Sequence, residues 1–425
     1  MRRATKTKAA PANPDGASPA PDRVDVLIAG GGHVGLSLAL ALRLAEPGIA
    51  VTVVDATPPE AISRDTRASA IAAAGRRMLD TLGVWDVIAG NAQPITEMVI
   101  TDSRTGDAVR PVFLTFDGRA RDGEAFAHMV MNADMVGALR DKATAAGAMI
   151  VAPDSVDDFT VGRTDVACRL GSGATMTARL LVAADGGRSR LRTLAGIGTV
   201  EWPYRQSGIV VTVEHERPHH GRAVEHFLPG GPFAILPLKG NRSSLVWSER
   251  ENTAKRIVGG DKDIFRFELE RRFGNQLGAI TPLGAPRAFP LGLTLARAFI
   301  ADRFALAGDA AHGIHPIAGQ GLNLGFRDVA ALAETIIEAH RLGLDIGATT
   351  VLERYQSWRR FDAFEMGAMT DVLNRLFSND NPVLRLARDV GLGLVDRLPG
   401  LKRMFIAEAA GEGGELPRLL RGEAI

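Results

Sequence analysis

The first strongly apolar run of the chain, at 24–29, follows a polar amino-terminal stretch and ends in glycines. A short run of this kind is typical of a strand that is buried on both faces of a parallel sheet. A helical segment at 36–44 and a second apolar run at 49–54 follow it. Further apolar runs at 180–184 and 304–307 are each followed by aspartate and glycine. The alternation of buried strands and helices predicts an α/β fold.

The pattern changes between 209 and 249, where short strand-like segments are separated by Pro-Gly-Gly and Lys-Gly-Asn. These turns and the short spacing are typical of an antiparallel unit. A helix is predicted at 257–273, and a short strand at 287–293 leads back to the apolar run at 304–307. We therefore expect a discontinuous α/β domain with a β unit inserted into it.

Helices are also predicted at 65–82, 132–146 and 350–376. The last of these has an apolar face made of Phe361, Phe364, Ala368, Val372 and Leu376. A further amphipathic segment, at 383–398, is bordered by arginines and lysines, which suits either a membrane surface or packing against protein. Packing is favoured, because the apolar face of a helix is usually part of a core.

Composition excludes several classes of function. The formal net charge is +1, so a nucleic-acid partner is not expected. Cys168 is the single cysteine, which excludes internal disulfides and cysteine-cluster metal sites and suits a reducing compartment. No apolar run approaches the roughly 18 residues of a membrane span. Residues 1–22 are basic and rich in alanine and proline, without the apolar core of a secretory signal, so a disordered tail is expected.

A dinucleotide-binding motif follows the first strand. Gly30, Gly32 and Gly35 stand between strand and helix, and Asp55 ends the next strand, 55 − 35 = 20 residues after the last glycine. This spacing matches the fingerprint in which the glycines provide a tight turn, an approach to pyrophosphate and close helix packing. Asp55 would bind a ribose hydroxyl. The motif alone does not choose between NAD and FAD.

The region between 304 and 328 has the highest density of glycine and polar residues. Its strand ends at Gly308-Asp309, and its helix is predicted to begin near Gly321. Such a loop lets backbone approach a flat ring or a phosphate, and the helix N-terminus offers free N–H groups. His312 and His315 could transfer protons, but histidines in such loops are more often structural.

Two features that contain arginine can each be interpreted in two ways. Asp185 and Gly186 follow a buried strand, where α/β sheets place ligands, and Arg188, Arg190 and Arg192 come next. These arginines either are solvated or attract an anionic cosubstrate. Arg67 either contacts a ligand or lies on the surface.

Three segments together carry a resemblance to a known family: GGGHVG with Asp55, ADGGRSRLR, and ALAGDAAHGIHPIAGQGLNLGFRD. They resemble the class A flavoprotein monooxygenases, the FAD-dependent aromatic hydroxylases with the para-hydroxybenzoate hydroxylase fold. Within this group the chain is most similar to the ubiquinone-biosynthesis hydroxylases, through HPIAGQGLNLGFRD and GPFAILPLKGNRSSLVW. The resemblance covers residues 24 to 411.

The resemblance implies a Rossmann-like FAD-binding domain, an inserted, mostly antiparallel β-sheet substrate domain and a C-terminal helical region. The expected boundaries are 1–22 for the tail, 23–95, 130–195 and 285–345 for the FAD-binding domain, 96–129 and 196–284 for the substrate domain, and 346–425 for the helical region.

The resemblance also implies roles for individual residues. Those expected to bind the cofactor are Gly30, Gly32, Gly35, Asp55, Arg67, Asp185, Gly186, Gly308, Asp309, Pro316, Gly319, Gln320, Gly321 and Asn323. The strand 233–238 is expected to form the substrate wall, with Phe233, Leu236 and Pro237 in contact with substrate. No residue is assigned as catalytic, with His312 and His315 as weak candidates, and no metal site is expected.

The implied reaction uses NADH or NADPH and O2, and forms a C4a-hydroperoxyflavin that hydroxylates an aromatic ring. A polyprenylated phenol of ubiquinone biosynthesis is the favoured substrate. The alternatives are hydroxylation of a small soluble aromatic acid and a non-catalytic flavoprotein in a biosynthetic assembly. A prenylated substrate is compatible with a multi-enzyme assembly, with a homo-oligomer and with a cytoplasmic location at the inner-membrane surface.

Overall fold

A computed structural model describes residues 23–103, 105, 107, 110–117, 123–378, 407 and 410–425. The predicted tail at 1–22 and the amphipathic segment at 383–398 lie outside the described residues. Among the described helices, none is both long and apolar enough to span a membrane.

The secondary structure alternates between strands and helices along most of the described chain. The strands are β1 Arg23–Ala29, β2 Val51–Val54, β3 Ala68–Ala72, β4 Gln93–Ile95, β5 Glu97–Asp102, β6 Val112–Asp117, β7 Ala127–Met131, β8 Met149–Val151, β9 Val156–Val161, β10 Val166–Leu170, β11 Thr175–Ala183, β12 Thr199–His215, β13 Arg222–Leu228, β14 Gly231–Leu238, β15 Arg242–Arg250, β16 Ile280–Ala296, β17 Ile300–Ala301, β18 Phe304–Leu306 and β19 His312–Gly313. The α-helices are α1 His33–Ala45, α2 Pro59–Ile62, α3 Ala73–Thr81, α4 Trp85–Ile88, α5 Asn132–Ala145, α6 Arg190–Leu194, α7 Glu251–Gly259, α8 Lys262–Phe273, α9 Gln320–Arg341, α10 Thr349–Phe377 and α11 Arg418–Arg421.

The first sheet has the order β17-β18-β11-β1-β2-β8, with β10 and β9 added beside β11. The pairs β18–β11, β11–β1, β1–β2 and β2–β8 are all parallel. Its apolar strands share one large core with α1, α5, α9 and α10. The predicted α/β architecture is confirmed. Because the strands are parallel, the carboxyl ends of β1, β2, β11 and β18 meet at one edge, where ligands bind in such folds.

The second sheet has the order β19-β16-β12-β15-β14-β13-β5-β6 and is antiparallel except between β13 and β5. One of its faces packs on α7 and α8, through a core that contains Phe233, Trp247 and Phe265. The predicted antiparallel unit is confirmed. The helix predicted at 257–273 is in fact two helices, because Asp261 caps the N-terminus of α8 by accepting a hydrogen bond from the Asp263 N–H.

The third sheet, β3-β7-β4, was not predicted. Residues 68–72 were expected to start a helix, but they form β3, which pairs antiparallel with β7, and α3 begins only at Ala73. The alanines of this segment favour a helix locally. The Asn323 side chain of α9 accepts a hydrogen bond from the Ala72 N–H and donates one to the Ala70 carbonyl, and these bonds hold the strand extended instead. Tertiary contacts therefore override the local preference.

Helix α10 has the predicted extent, but most of the apolar face identified in its sequence is exposed. Phe361 is 72% exposed and Phe364 is 61% exposed, and Ala368 and Val372 are exposed as well. The buried face carries several polar side chains that have partners in the body of the protein. The Tyr355 hydroxyl, for example, donates to the Leu306 carbonyl at 2.7 Å. A search for apolar positions alone misses a face that is buried through polar contacts.

Candidate functional site

A cavity of about 690 Å³ is lined both by residues at the carboxyl edge of the first sheet and by one face of the second sheet. The residues predicted from sequence that line it are Gly32, Arg67, Gly186, Leu236, Asp309, Pro316, Gly319, Gln320, Gly321 and Asn323. Three segments that are far apart in the sequence therefore meet at one site. The predicted residues that are not among its lining are Gly30, Gly35, Asp55, Asp185, Phe233, Pro237 and Gly308.

The glycine turn after β1 is shaped by close backbone contacts. Gly30 has a φ of 112°, and a Cβ on it would lie 2.2 Å from the Ala184 carbonyl oxygen. A Cβ on Gly35 would lie 1.9 Å from the Gly30 carbonyl oxygen, so α1 packs directly on the turn. At Gly32 a Cβ would meet nothing within 4 Å, and the residue faces the cavity. The turn therefore leaves space against the backbone where a phosphate fits.

Asp55 lies beside this turn, outside the cavity lining. A Cβ on Gly31 would come within 2.6 Å of the Asp55 Oδ2, which places the carboxylate directly against the turn. Its other oxygen accepts a hydrogen bond from the Thr57 N–H at 3.2 Å. This position at the end of β2 suits a contact with the ribose next to a pyrophosphate.

Arg67 and Asp65 form a bidentate ion pair at the cavity rim. The Arg67 Nε and Nη2 lie 2.9 Å and 2.7 Å from the two carboxylate oxygens of Asp65. Burial acts to raise the pKa of Asp65, but the hydrogen bonds from Arg67 outweigh it, so the pKa is lowered. The Arg67 side chain is thus held at the cavity while about half of it stays exposed.

The Gly308-Asp309 pair after β18 combines close packing with a carboxyl directed into the cavity. Gly308 has a φ of 64°, and a Cβ there would lie 2.9 Å from the Val34 Cγ2. Asp309 lines the cavity. Desolvation by the surrounding protein raises the pKa of its carboxyl, and the nearby His312 and Arg67 act in the opposite direction.

Helix α9 begins at the cavity. Its N-cap, Gly319, adopts the left-handed conformation with a φ of 66°, and Gln320 and Gly321 of the first turn line the cavity. A Cβ on Gly321 would meet nothing within 4 Å. The N-terminal end of the helix therefore borders a space in which its dipole stabilises negative charge.

The two histidines of the loop are not among the cavity lining. His312 Nε2 lies 2.6 Å from the Asp328 Oδ2, and the same carboxylate accepts hydrogen bonds from the Gly308 N–H at 2.8 Å and the Arg359 Nε at 2.8 Å. His315 is buried against Tyr204, and its Nδ1 accepts from the Ile317 N–H at 3.3 Å. Burial lowers the pKa of His315 to about 4. These contacts give both side chains a structural role in the loop.

The strand expected to form the substrate wall contributes only one of its two faces. Ala234 and Leu236 line the cavity, together with Val246 of β15. Phe233 points to the opposite face, where its ring packs edge-on against Trp247 at 5.8 Å. Because side chains alternate along a strand, Pro237 also lies on that opposite face. The prediction is therefore corrected for Phe233 and Pro237.

The arginines after β11 do not act as one group. Arg192 is buried, and its guanidinium donates to the Ala310 carbonyl at 2.8 Å and to the Gly187 carbonyl at 3.2 Å. Arg188 and Arg190 are exposed. Arg192 therefore stabilises the loops at the end of the sheet, whereas the exposure of Arg188 and Arg190 is compatible with both alternatives.

Two titratable residues of the cavity lining were missed in the sequence. His33 of α1 is half-buried, its buried Nε2 has no partner in the described part of the chain, and desolvation lowers its pKa to about 4. Glu225 of β13 is also buried and lines the cavity. Its signal was available, because a single acid interrupts the apolar strand sequence AVEHFL.

Comparison with known proteins agrees with this geometry. The sequence matches the FAD binding domain family over residues 23–364. Ubiquinone hydroxylase UbiL of Rhodospirillum rubrum is 47% identical over 405 residues, which cover 94% of this chain and 92% of that protein. The 3-demethoxyubiquinol 3-hydroxylase of Escherichia coli is 36% identical over 399 residues, or 91% of this chain and 98% of that protein.

The fold is also shared with solved structures. The p-nitrophenol 4-monooxygenase PnpA of Pseudomonas putida has a TM-score of 0.78 at 21% identity, over 93% of this chain and all of that chain (100%). The open glycine turn, the acid beside it and the helix N-terminus at the cavity fit FAD as the cofactor. The chain therefore belongs to the FAD binding domain family and is an FAD-dependent monooxygenase.

Proposed function

We propose that this monooxygenase uses NADH or NADPH and O2 to hydroxylate the ring of a polyprenylated phenol in ubiquinone biosynthesis. The observation that carries the proposal is a single cavity whose polar, glycine-rich side continues into an apolar wall on the second sheet. The names of the two sequence relatives support the substrate class, since both relatives are described as ubiquinone-related hydroxylases.

We assign the phosphate and ribose contacts of FAD to the turn at 30–35 and to Asp55. Arg67 and Gly186 would contact the middle of the cofactor, and Asp309 would accept hydrogen bonds from its sugar-alcohol hydroxyls. The remaining residues of the cofactor set are Asp185 and Gly308, which support the loops, and Pro316, Gly319, Gln320, Gly321 and Asn323, which would lie along the ring. Bound FAD supplies the redox chemistry, from hydride uptake to oxygen transfer.

The first turn of α9 would act on the charge of the reduced cofactor. Gln320 and Gly321 of that turn line the cavity. Such a helix end stabilises a nearby negative charge by about 0.3–2 kcal/mol. This contribution requires no titratable side chain, which agrees with the absence of His312 and His315 from the cavity lining.

The wall on the second sheet would hold the substrate ring and exclude water. Its apolar residues are Met98, Ala223, Ala234, Leu236 and Val246. An apolar wall favours a ring with a hydrocarbon tail over an ionised aromatic acid. Exclusion of water also protects a reactive oxygen donor from wasteful decomposition.

The domain boundaries given above are part of this proposal, with one change. The third segment of the FAD-binding domain would begin after Ala296 rather than at 285. The reason is that β16 pairs with β12 from Ile280 to Ala296, so the strand belongs to the second sheet throughout.

A prenylated substrate would reach the protein from a membrane surface. We propose the exposed apolar face of α10, at Phe361, Phe364 and Val372, as the surface that makes this contact. Sedimentation with liposomes tests it. Binding that is lost in the variant Phe361→Ser/Phe364→Ser supports the proposal, and absence of binding by the wild type contradicts it.

The activity is tested by NADH and NADPH oxidation with purified holoprotein. We expect a phenol with a short prenyl tail to accelerate oxidation and to yield a hydroxylated product. If only small aromatic acids accelerate it, the ubiquinone assignment fails and the soluble-acid alternative is correct. If no aromatic compound does so, the non-catalytic flavoprotein is the better interpretation.

A further inference from the structure

Glu225 lies in the middle of the cavity wall formed by the second sheet. It is on β13, opposite Ala234 of β14 and Ile100 of β5. Ala223, two residues earlier on the same strand, also lines the cavity, whereas Val224 belongs to the core on the opposite face. The alternation of side chains along β13 therefore directs the Glu225 carboxyl toward the cavity.

The carboxyl is buried without a partner. Glu225 is 5% exposed, and across the described residues its carboxyl makes neither a hydrogen bond nor an ion pair. Desolvation raises its pKa to about 8. A buried polar group without a partner costs free energy, and native proteins nearly always satisfy such groups. An acid kept in this position therefore points to a ligand that supplies the missing hydrogen bond.

The surroundings limit what that ligand group can be. The wall around Glu225 is apolar, with Met98, Ala223, Ala234, Leu236 and Val246 as its members. Near neutral pH a carboxyl of this pKa is mostly protonated, so it both donates and accepts a hydrogen bond. A hydroxyl on an apolar ring matches this group, whereas a cation would require the ionised form.

We propose that Glu225 binds the ring hydroxyl of the aromatic substrate and so fixes which ring edge faces the cofactor side of the cavity. The inference rests on the proposed function, because it takes a phenol as the substrate. Glu225 is then a specificity-determining residue: it selects rings that carry a hydroxyl and orients them, while the apolar wall holds the rest of the molecule.

The experiment compares a phenol that carries a short prenyl tail with its O-methyl ether. Binding to purified holoprotein is followed through the change in the visible absorbance of FAD, and the coupling ratio, product formed per NAD(P)H oxidised, is measured separately. We expect the wild type to prefer the phenol by about tenfold or more, the size of one buried hydrogen bond. Glu225→Ala and Glu225→Leu should remove the preference and lower the coupling ratio.

The matched control is Glu214→Gln, an exposed glutamate on β12 of the same sheet. It should keep both the preference and the coupling ratio. The Glu225 carboxyl has no partner in the described part of the chain, so Glu225→Ala and Glu225→Leu break no hydrogen bond. The FAD content of these two variants shows whether they are folded.

A preference for the phenol that survives in Glu225→Ala and Glu225→Leu overturns the inference, as does a wild type without any preference. Failure of the proposed function gives a different result. In that case the wild type shows no prenylated-phenol-dependent NAD(P)H oxidation, whereas normal turnover with an unchanged preference in the variants counts against Glu225 alone.

Discussion

The side-chain oxygen of Asn323 accepts a hydrogen bond from the backbone N–H of Ala72 at 2.9 Å. The Asn323 Nδ2 also donates to the Ala70 carbonyl at 3.0 Å and to the Gly319 carbonyl at 3.1 Å. One residue in the first turn of α9 thus ties β3 to the left-handed N-cap of the helix. Its side chain fixes the shape of the cavity, although its place in the glycine-rich loop suggested only a ligand contact.

Asn323→Ala should destabilise the protein by about 2–4 kcal/mol, because it leaves the buried backbone groups of β3 without partners. Affinity for FAD should fall as well, since β3 lines the cavity. Urea denaturation and FAD titration measure the two effects. The exposed Asn275, replaced by alanine, serves as the control and should change neither quantity. Unchanged stability in Asn323→Ala would show that β3 does not depend on this side chain.

Alanine substitutions at two glycines of the same turn should have different effects, one on FAD binding and the other on stability. At Gly32 a Cβ meets no protein atom within 4 Å, so Gly32→Ala should fold normally but weaken FAD binding by about tenfold or more. At Gly35 a Cβ would lie 1.9 Å from a backbone oxygen, so Gly35→Ala should destabilise the fold by several kcal/mol, of order 3 or more. Thermal unfolding of the FAD-free protein separates the cases. Equal destabilisation by both substitutions would contradict the assignment of Gly32 to the cofactor.

Leu236 and Phe233 test the orientation of β14. Phe233 is fully buried in the core beneath the sheet, so Phe233→Ala should cost about 3–5 kcal/mol of stability. Leu236 lines the cavity, so Leu236→Ala should chiefly alter the affinity for the aromatic substrate. Denaturation and substrate titration of both variants provide the comparison. A reversed result, with substrate affinity sensitive only to Phe233, would mean that the strand faces the other way.

Glu225 should make the stability of the substrate-free protein depend on pH. Its pKa is raised from 4.5 to about 8, so the native carboxyl holds its proton where the unfolded chain has lost it. The free energy of unfolding is unaffected below pH 4.5, falls as the pH rises from 4.5 to 8, and is reduced by a constant amount above that.

Glu225→Gln removes this pH dependence and should be more stable than the wild type by about 2–5 kcal/mol above pH 8. Urea denaturation at several pH values provides the measurement. Glu214→Gln, at an exposed position, should show almost no difference at any pH. A stability difference for Glu225→Gln that does not vary with pH would contradict the burial of an uncompensated carboxyl.

The parts of the fold that follow from local pattern were predictable. The glycine turn, the parallel strands and the start of α9 all have signals within a few residues of where they occur, so GGGHVG and GDAAHGIHPIAGQG were sufficient to locate them. Strand β3 was not predictable in this way, because its extended form depends on Asn323, about 250 residues away.

The residues of the candidate site show the same difference between local signals and signals from distant parts of the chain. Residues that use their backbone, such as Gly32 and Gly321, were identified from sequence, because the requirement for glycine is local. Residues that use a side chain from the second sheet were not, since a strand with apolar residues on both faces does not reveal which face is the cavity. That is why Phe233 was selected and Glu225 was missed.

The Asp328 carboxylate joins three parts of the chain: the Gly308 turn, His312 and Arg359 of α10. Arg359 is buried together with this aspartate, so separating α10 from the body would leave an unpaired charge behind. Helix α10 and the cofactor loop should therefore open together, as one cooperative unit in hydrogen exchange. Loss of α10 would then release FAD, even though none of the described residues of α10 lines the cavity.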